Sequence, residues 1–298
     1  MDAVTQHLKP CSITIQPEPA EPIQSITRKD NLAGAAKNHW LRRALSFSLL
    51  PLTILLSNVV FAADIHVLAT GALSAALKHL GPAFEQATGH RLVIAWGPSY
   101  GASPDTLPMR IKNGEAMDVC FMIGAALDDQ IMQGKFLADS RTDLAESRIG
   151  VAVRAGLPKP DISTTDGLRK ALLAANSVAF SEGASGTYII GTLFPKLGVA
   201  DGMRAKSVLI KGRELVGTAV ERGDAELGLQ QISELRAIPG IQYVGPLPEE
   251  LQKVSVISAA VATGAKERKA AEALIAYLKT PSAAEEFAKT GLDPIKAQ

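Results

Sequence analysis

After residue 62, short apolar runs alternate with stretches that carry apolar residues on one helical face. The runs Ile65–Thr70, Arg91–Trp96 and Met117–Ile123 have the length and composition of strands. Between Leu73 and Phe84, apolar residues recur at helical spacing. Strands that alternate with helices in this way predict right-handed crossovers and a mostly parallel sheet.

A second block of the same kind follows the turn-rich segment Gly156–Pro160. Its predicted strands are Ser177–Phe180, Ser207–Ile210 and Glu226–Gln230, with helices predicted over 165–175, 185–197 and 213–223. A proline- and glycine-rich break over 239–248 then leads to a predicted apolar strand, Val254–Val261, and to two closing helices over 266–279 and 282–289. We therefore predict an α/β protein with two mostly parallel sheets flanked by helices. Lobe I comprises 63–150 plus 245–298, lobe II comprises 151–244, and two hinge strands join them around a cleft for a small ligand.

The segment 41–62 has the pattern of a secretory signal peptide. Arg42 and Arg43 precede the apolar run Ala44–Val60, and Ala62 and Ala63 provide small residues for cleavage. The alternative is an N-terminal membrane anchor, for which this run is short and interrupted. We predict that 1–62 is an N-terminal extension with a cleaved signal peptide, and that the mature protein is periplasmic. A start of synthesis near residue 41 is a further hypothesis, which N-terminal sequencing of the precursor would test.

Composition narrows the possible partners. Lys and Arg number 31 against 30 Asp and Glu, so bulk charge predicts no nucleic-acid partner. There are two cysteines, Cys11 and Cys120, and five histidines without a metal-binding spacing, so no metal site is predicted. Cys120 lies in an apolar run and is predicted to be a buried hydrophobic side chain. We expect a monomer that binds a small anion.

Three predicted strand-to-helix turns carry glycines and hydroxyl side chains, at 70–72, 97–104 and 181–188. Glycine lets the backbone approach a ligand, hydroxyls donate hydrogen bonds, and helix N-termini favour negative charge. Ser103 has an alternative role as an N-cap with Pro104 in the first helical turn. The candidate ligand-binding residues of these turns are Thr70, Gly71, Ser99, Tyr100, Ser103, Ser185, Gly186 and Thr187.

The runs 69–77, Gly114–Val119, Ala225–Gly228 and 273–284 resemble the molybdate-type family of periplasmic binding proteins. The resemblance extends over nearly the whole mature chain. It implies a two-lobed class II periplasmic-binding-protein fold whose interlobe cleft holds a small oxyanion. It also implies that an ABC importer permease is a partner if the protein is a receptor.

The candidate loops depart from the molybdate-type pattern. Ala72 stands where those receptors usually have serine, and the second loop is longer. Gln230 and Gln231 occupy the stretch nearest to their hinge tyrosine, and paired amides suit a carboxylate as well as an oxyanion. The variant pattern resembles a branch of the family that includes periplasmic aconitate isomerases. That resemblance implies interconversion of cis- and trans-aconitate by proton transfer in the cleft, a reaction that requires no cofactor.

Candidate catalytic residues are Glu182, Tyr188 and Tyr100. Glu182 is the carboxylate within a glycine- and serine-rich turn. Its alternative role is structural, because a glutamate in the first turn of a helix is stabilised by the helix dipole. Each tyrosine is able to donate to a carboxylate, or to pack. Arg110 is a candidate partner for a substrate carboxylate or a solvated helix charge, and Lys211 and Arg213 have the same two possible roles.

Three functions remain open at this point. One is an isomerase acting on aconitate, and another is a receptor that delivers molybdate, another oxyanion or a carboxylate to an ABC importer. The effector-binding domain of a regulator is the third, but 1–62 contains no pair of DNA-binding helices. Receptors are the commoner use of this fold, whereas the altered loops favour a carboxylate ligand and the isomerase.

Overall fold

The computed structural model describes residues 62–295. The predicted extension and signal peptide lie outside this part of the chain, apart from Ala62. Among the described residues, none of the helices combines the length and apolar character needed to cross a bilayer.

Eleven strands and eleven helices follow one another along these residues. The strands are β1 (Asp64–Ala69), β2 (Arg91–Trp96), β3 (Val119–Ile123), β4 (Thr142–Ser147), β5 (Ile149–Arg154), β6 (Val178–Ser181), β7 (Ser207–Ile210), β8 (Leu227–Gln231), β9 (Ile241–Pro246), β10 (Ser255–Val261) and β11 (Asp293–Pro294). The helices are α1 (Ser74–Thr88), α2 (Leu107–Lys112), α3 (Gly124–Met132), α4 (Thr165–Ala174), α5 (Ala184–Tyr188), α6 (Phe194–Lys196), α7 (Ala200–Met203), α8 (Val216–Arg222), α9 (Ile232–Arg236), α10 (Arg268–Leu278) and α11 (Pro281–Thr290).

The strands form two mixed sheets. The first has the order β11-β4-β10-β3-β1-β2 and the second has the order β7-β6-β8-β5-β9. Parallel pairs join β1 to β2 and β3, and β6 to β7 and β8. The remaining pairs are antiparallel. Each of them includes β4, β5 or β10, which are strands next to the points where the chain passes from one sheet to the other. The two-lobed α/β fold is thus confirmed, with sheets that are mixed rather than mostly parallel.

The chain crosses between the sheets twice. Arg148 separates β4 from β5, and 247–254 connects β9 to β10. The predicted lobe boundaries stay predictions, but the two sheets provide the lobes to which we refer below. The six-stranded sheet of lobe I has apolar clusters on both faces, and the five-stranded sheet of lobe II has its own two clusters. Each lobe therefore has a separate core, and the loops between them are available for a ligand.

Several elements differ from the sequence prediction. The helix predicted over 185–197 contains a turn of π-helix, Ile189–Leu193, just before Pro195, whose missing N–H disturbs the regular hydrogen-bond ladder. Helix α2 begins at Leu107 after Thr106, so the proposed cap by Ser103 and Pro104 is wrong. β4, β5, β9 and β11 were not predicted as strands.

Candidate functional site between the lobes

A small cavity lies where strand-end loops of the two lobes face each other. Its volume is about 40 Å³, and a wider recess of about 550 Å³ opens beside it, with Ile123 and Ala184 lining both. The polar residues lining the cavity include Thr70, Gly71, Ser99, Ser181, Ser185, Arg213, Gln230, Gln231 and Glu234.

The structure brings together part of the predicted set. Six predicted ligand-binding residues line the cavity: Thr70, Gly71, Ser99, Ser185, Gln230 and Gln231. Tyr100, Thr187 and Tyr188 line the recess instead. Ser103, Arg110, Glu182 and Gly186 line neither. The roles of all these residues toward a ligand stay predictions.

Lobe I contributes hydroxyl groups to the cavity from the ends of its parallel strands. Thr70 follows β1 directly, and its backbone N–H donates to Phe121 of the adjacent strand β3. Ser99 follows β2, is buried, and accepts a hydrogen bond from the Ile123 N–H at 3.0 Å. Because that bond uses a lone pair of the Ser99 oxygen, its hydroxyl proton remains for donation to a ligand.

The end of β8 contributes two buried amides with different roles. The Gln230 Oε1 accepts from the Val216 N–H at 2.8 Å, which fixes the side chain against α8. The Gln231 Oε1 accepts from the Ser147 hydroxyl at 2.8 Å, whereas its Nε2 has no hydrogen-bond partner although the residue is only 4% exposed. A buried donor without a partner is costly. Nε2 of Gln231 is therefore suited to a ligand acceptor.

Lobe II also contributes the loop after β6. The hydroxyls of Ser181 and Ser185 lie 3.3 Å apart, and Ser181 also accepts from the Gly183 N–H. Thr187 donates to the Gly183 carbonyl at 3.0 Å, so its hydroxyl holds the loop. This arrangement gives the cavity a second pair of hydroxyls opposite those of lobe I.

Glu182, the predicted catalytic base, instead links the lobes. Its Oε2 accepts from the Ala102 N–H of lobe I at 3.3 Å and its Oε1 accepts from the Gly212 N–H at 2.6 Å. Burial alone would raise the pKa of the Glu182 carboxyl, but hydrogen bonds from Ser103, Gly212 and Ala102 hold it below its usual value. In a reciprocal contact, Asp105 of lobe I accepts from the Arg213 N–H at 2.9 Å. We call these two carboxylates and their donors the interlobe clasp.

We predict that Glu182→Gln weakens ligand binding more than it slows chemistry. The amide replaces one accepting oxygen with a donor, so the closed arrangement is less populated and the apparent Kd rises by about 5- to 30-fold, equivalent to ~1–2 kcal/mol. Calorimetric titration and kcat measurement separate the two effects. A Kd close to that of the wild type, with kcat lowered about 100-fold or more, would restore Glu182 as the base.

The same prediction has a definite pH dependence. The carboxylate form accepts the clasp hydrogen bonds, and its pKa is lowered, so the stabilisation is complete above the ordinary glutamate pKa of 4.5. It is lost as the pH falls through the lowered pKa. Wild-type affinity should consequently weaken below about pH 4.5, with less of this change in Glu182→Gln.

The other predicted catalytic and charged residues have protein partners. The Tyr188 hydroxyl donates to the Leu251 carbonyl at 2.9 Å, and burial raises its pKa. Burial also raises the pKa of Tyr100. Arg110 forms an ion pair with Glu115 at 2.8 Å and lines neither the cavity nor the recess. Cys120 is buried, as predicted.

The sequence analysis did not identify Glu234, which follows β8 on the short helix α9 and lines the cavity. A Cβ at Gly71 would lie 2.5 Å from Oε1 of Glu234, so this carboxyl lies directly over the first loop of lobe I. Burial raises the pKa of Glu234 to about 8, although a hydrogen bond from the Gln230 side chain lowers it in part. A carboxyl with a pKa in this range is present in both its protonated and its ionised form near neutral pH.

Two α/β lobes that close on a cavity rich in hydrogen-bond donors define a ligand-binding protein of the periplasmic type. The chain matches the model of the bacterial extracellular solute-binding protein family over residues 65–293, and it belongs to that family. The predicted resemblance is therefore confirmed. The family is described as extracellular, and a solved relative reported below is periplasmic, so the family consists of exported proteins.

Individual relatives make the comparison more specific. An aconitate isomerase from a Pseudomonas species is 43% identical over 232 residues, which are 78% of this chain and 88% of the relative. The molybdate-binding protein ModA of Azotobacter vinelandii is 27% identical over 261 residues, 81% of this chain and 96% of ModA. Among solved structures, the periplasmic molybdate-binding protein of A. vinelandii has a TM-score of 0.61 at 22% identity, covering 78% of this chain and 100% of that one.

Proposed function

We propose that this protein is a periplasmic isomerase that interconverts cis- and trans-aconitate by proton transfer between its lobes. The observation that carries the proposal is the 43% identity to an aconitate isomerase along 88% of that relative's length. The molybdate-binding relative shares 27% identity. We further propose that the mature chain begins near Ala63 and acts as a monomer.

The chemistry of this reaction suits the cavity. A base removes a proton from the methylene carbon next to a carboxylate, and the C–H electron pair spreads over the allylic system. The proton then returns at the other end of that system, so the double bond shifts with no net change in oxidation state. Negative charge that develops on the substrate carboxylates is stabilised by fixed donors, for which the Ser99 and Ser185 hydroxyls and the Gln231 Nε2 are suited.

The neighbouring recess gives a tricarboxylate additional space. Its volume of about 550 Å³ is in the usual range for small-molecule sites. We infer that the reacting carbons lie in the cavity, beside Gln231, and that a distal carboxylate extends toward Thr187 and Lys253 of the recess. Separation of the lobes admits the substrate, and closure excludes water during proton transfer.

The test is direct conversion of substrate. Purified protein incubated with cis-aconitate should form trans-aconitate, followed by chromatography, and the reverse reaction should reach the same equilibrium ratio. In parallel, thermal unfolding is measured with cis-aconitate, trans-aconitate, citrate, molybdate, tungstate and sulfate. Binding to the native state raises the unfolding midpoint, so the aconitates should give the largest increases.

A solute-binding receptor of an ABC importer is the second candidate, favoured by the molybdate-binding relative. It predicts a large midpoint increase with its cargo and no conversion of either aconitate. Tight binding of molybdate or of aconitate without turnover would therefore replace the isomerase by the receptor.

A further inference from the structure

The carboxyl of Glu234 has a position that the predicted site residues do not share. It lines the cavity from lobe II, in company with hydroxyls of both lobes, and lies over Gly71 of lobe I. Its helix, α9, packs against α1 and the loop at Gly71–Leu73 of lobe I. Glu234 thus lies where α9 of lobe II meets lobe I.

Other acidic groups near the cavity have protein partners. Both Glu182 oxygens accept backbone N–H groups, and Asp105 accepts from Arg213. Glu214 lines the cavity but forms an ion pair with Arg222 at 2.9 Å. Among residues 62–295, Glu234 forms none of the ion pairs and receives its hydrogen bond from a neutral amide, that of Gln230.

A second observation shows that a ligand is expected next to it. Gln231 lines the same cavity, and its Nε2 is buried and has no hydrogen-bond partner among the described residues. An acceptor on a bound carboxylate would satisfy this donor. The substrate would then be fixed beside Glu234, which is three residues further along the chain on the adjoining helix.

From this geometry we propose that Glu234 is the residue that removes the substrate proton and returns it at the other allylic carbon. The inference rests on the proposed isomerase function and names the group that performs it. In the forward step the Glu234 carboxylate takes the methylene proton and becomes a carboxylic acid, while the electron pair spreads over the allylic system. In the second step the same acid gives the proton to the opposite terminal carbon, so the enzyme is regenerated without a co-reactant.

The environment of Glu234 matches both steps. A group that acts as base and then as acid is most effective when its pKa lies near the working pH, and burial raises that of Glu234 to about 8. Gln230, anchored on the Val216 N–H, donates to the carboxyl and orients it. Gly71 leaves room for it, because a larger side chain there would meet Oε1 of Glu234.

The deciding variant is Glu234→Gln, with Glu285→Gln as the matched control. Glu285 is exposed on α11 of lobe I and lines neither the cavity nor the recess, so its replacement should leave kcat unchanged. For Glu234→Gln we expect kcat to fall about 100- to 10,000-fold while KM for cis-aconitate and the unfolding midpoint remain within about threefold and a few degrees of the wild type. Glu234→Asp retains a carboxyl and should keep at least about tenfold more turnover than Glu234→Gln.

Each outcome tests either the proposed isomerase function or the proposed role of Glu234. Wild-type turnover with a Glu234→Gln kcat within about threefold of normal would overturn the role of Glu234 and leave the isomerase in place. Equal losses in the Gln and Asp variants, with a lowered unfolding midpoint, would assign Glu234 to packing and overturn its catalytic role. If Glu234→Gln does not fold, Glu234→Leu decides, because a kcat within about threefold of the wild type in a variant without a carboxyl contradicts proton transfer at this position. A wild type without turnover would overturn the isomerase, and the role of Glu234 with it.

Discussion

Replacement of Asp118 by alanine is expected to lower the free energy of unfolding by about 3–5 kcal/mol. Asp118 immediately precedes β3 and is only 2% exposed. Its Oδ2 accepts from the His66 N–H at 2.8 Å, and its Oδ1 accepts from the N–H groups of Lys266 and Glu267 at 2.8 and 3.0 Å. Alanine leaves three backbone donors without these acceptors, and a donor unsatisfied in a buried position costs about 1–3 kcal/mol.

Chemical denaturation with urea measures this change. Asp118→Asn keeps one side-chain oxygen and should lose about half as much, whereas Asp201→Ala removes an exposed carboxylate on α7 and should change stability by less than about 0.5 kcal/mol. A loss below about 1 kcal/mol for Asp118→Ala would show that water replaces the carboxylate at β3 without penalty.

A methyl group at Gly186 is expected to destroy the ligand site and destabilise lobe II. A Cβ there would overlap the carbonyl oxygen of Ser181, which is backbone and has little freedom to move. Helix α5 must then shift away from the end of β6, and Ser185 shifts with it. We expect a loss of about 3 kcal/mol or more in the free energy of unfolding, at the upper end for overpacking, together with loss of measurable ligand binding.

Gly191→Ala is the matched control, because a Cβ at this exposed position meets nothing within 4 Å. Its stability should remain within about 1 kcal/mol of the wild type and its ligand affinity should be unchanged. Thermal unfolding and titration with cis-aconitate measure both variants. Normal binding in Gly186→Ala would mean that the backbone after β6 does not shape the pocket.

Local sequence pattern was sufficient for most of the buried strands and for many of the cavity residues. Apolar runs gave β1, β2 and β3 because these strands are fully or partly buried, and hydroxyls just after strand ends gave Thr70 and Ser99. β9 was missed because its residues are half-buried and flanked by proline and glycine, which are typical of loops.

The roles of the acidic residues depend on tertiary contacts that local pattern does not contain. Glu182 is chemically suited to proton transfer, but its oxygens are engaged by Ala102 and Gly212, which are distant in sequence. Glu234 lies on a five-residue helix too short to produce a periodic signal, three residues after Gln231. A search for carboxylates after every strand end, including short ones, would have found it.

The interlobe clasp also affects how well a transporter could distinguish the ligand-bound protein from the ligand-free protein. Glu182 and Asp105 accept hydrogen bonds across the lobes, so part of the preference for closure is built into the polypeptide rather than supplied by cargo. A membrane transporter that recognises closed lobes distinguishes ligand-bound from ligand-free binding protein only to the extent that ligand binding causes the lobes to close. Self-closure reduces that discrimination and causes unproductive docking. A catalyst has no such requirement, and it benefits because less binding energy is needed to assemble the site around each substrate molecule.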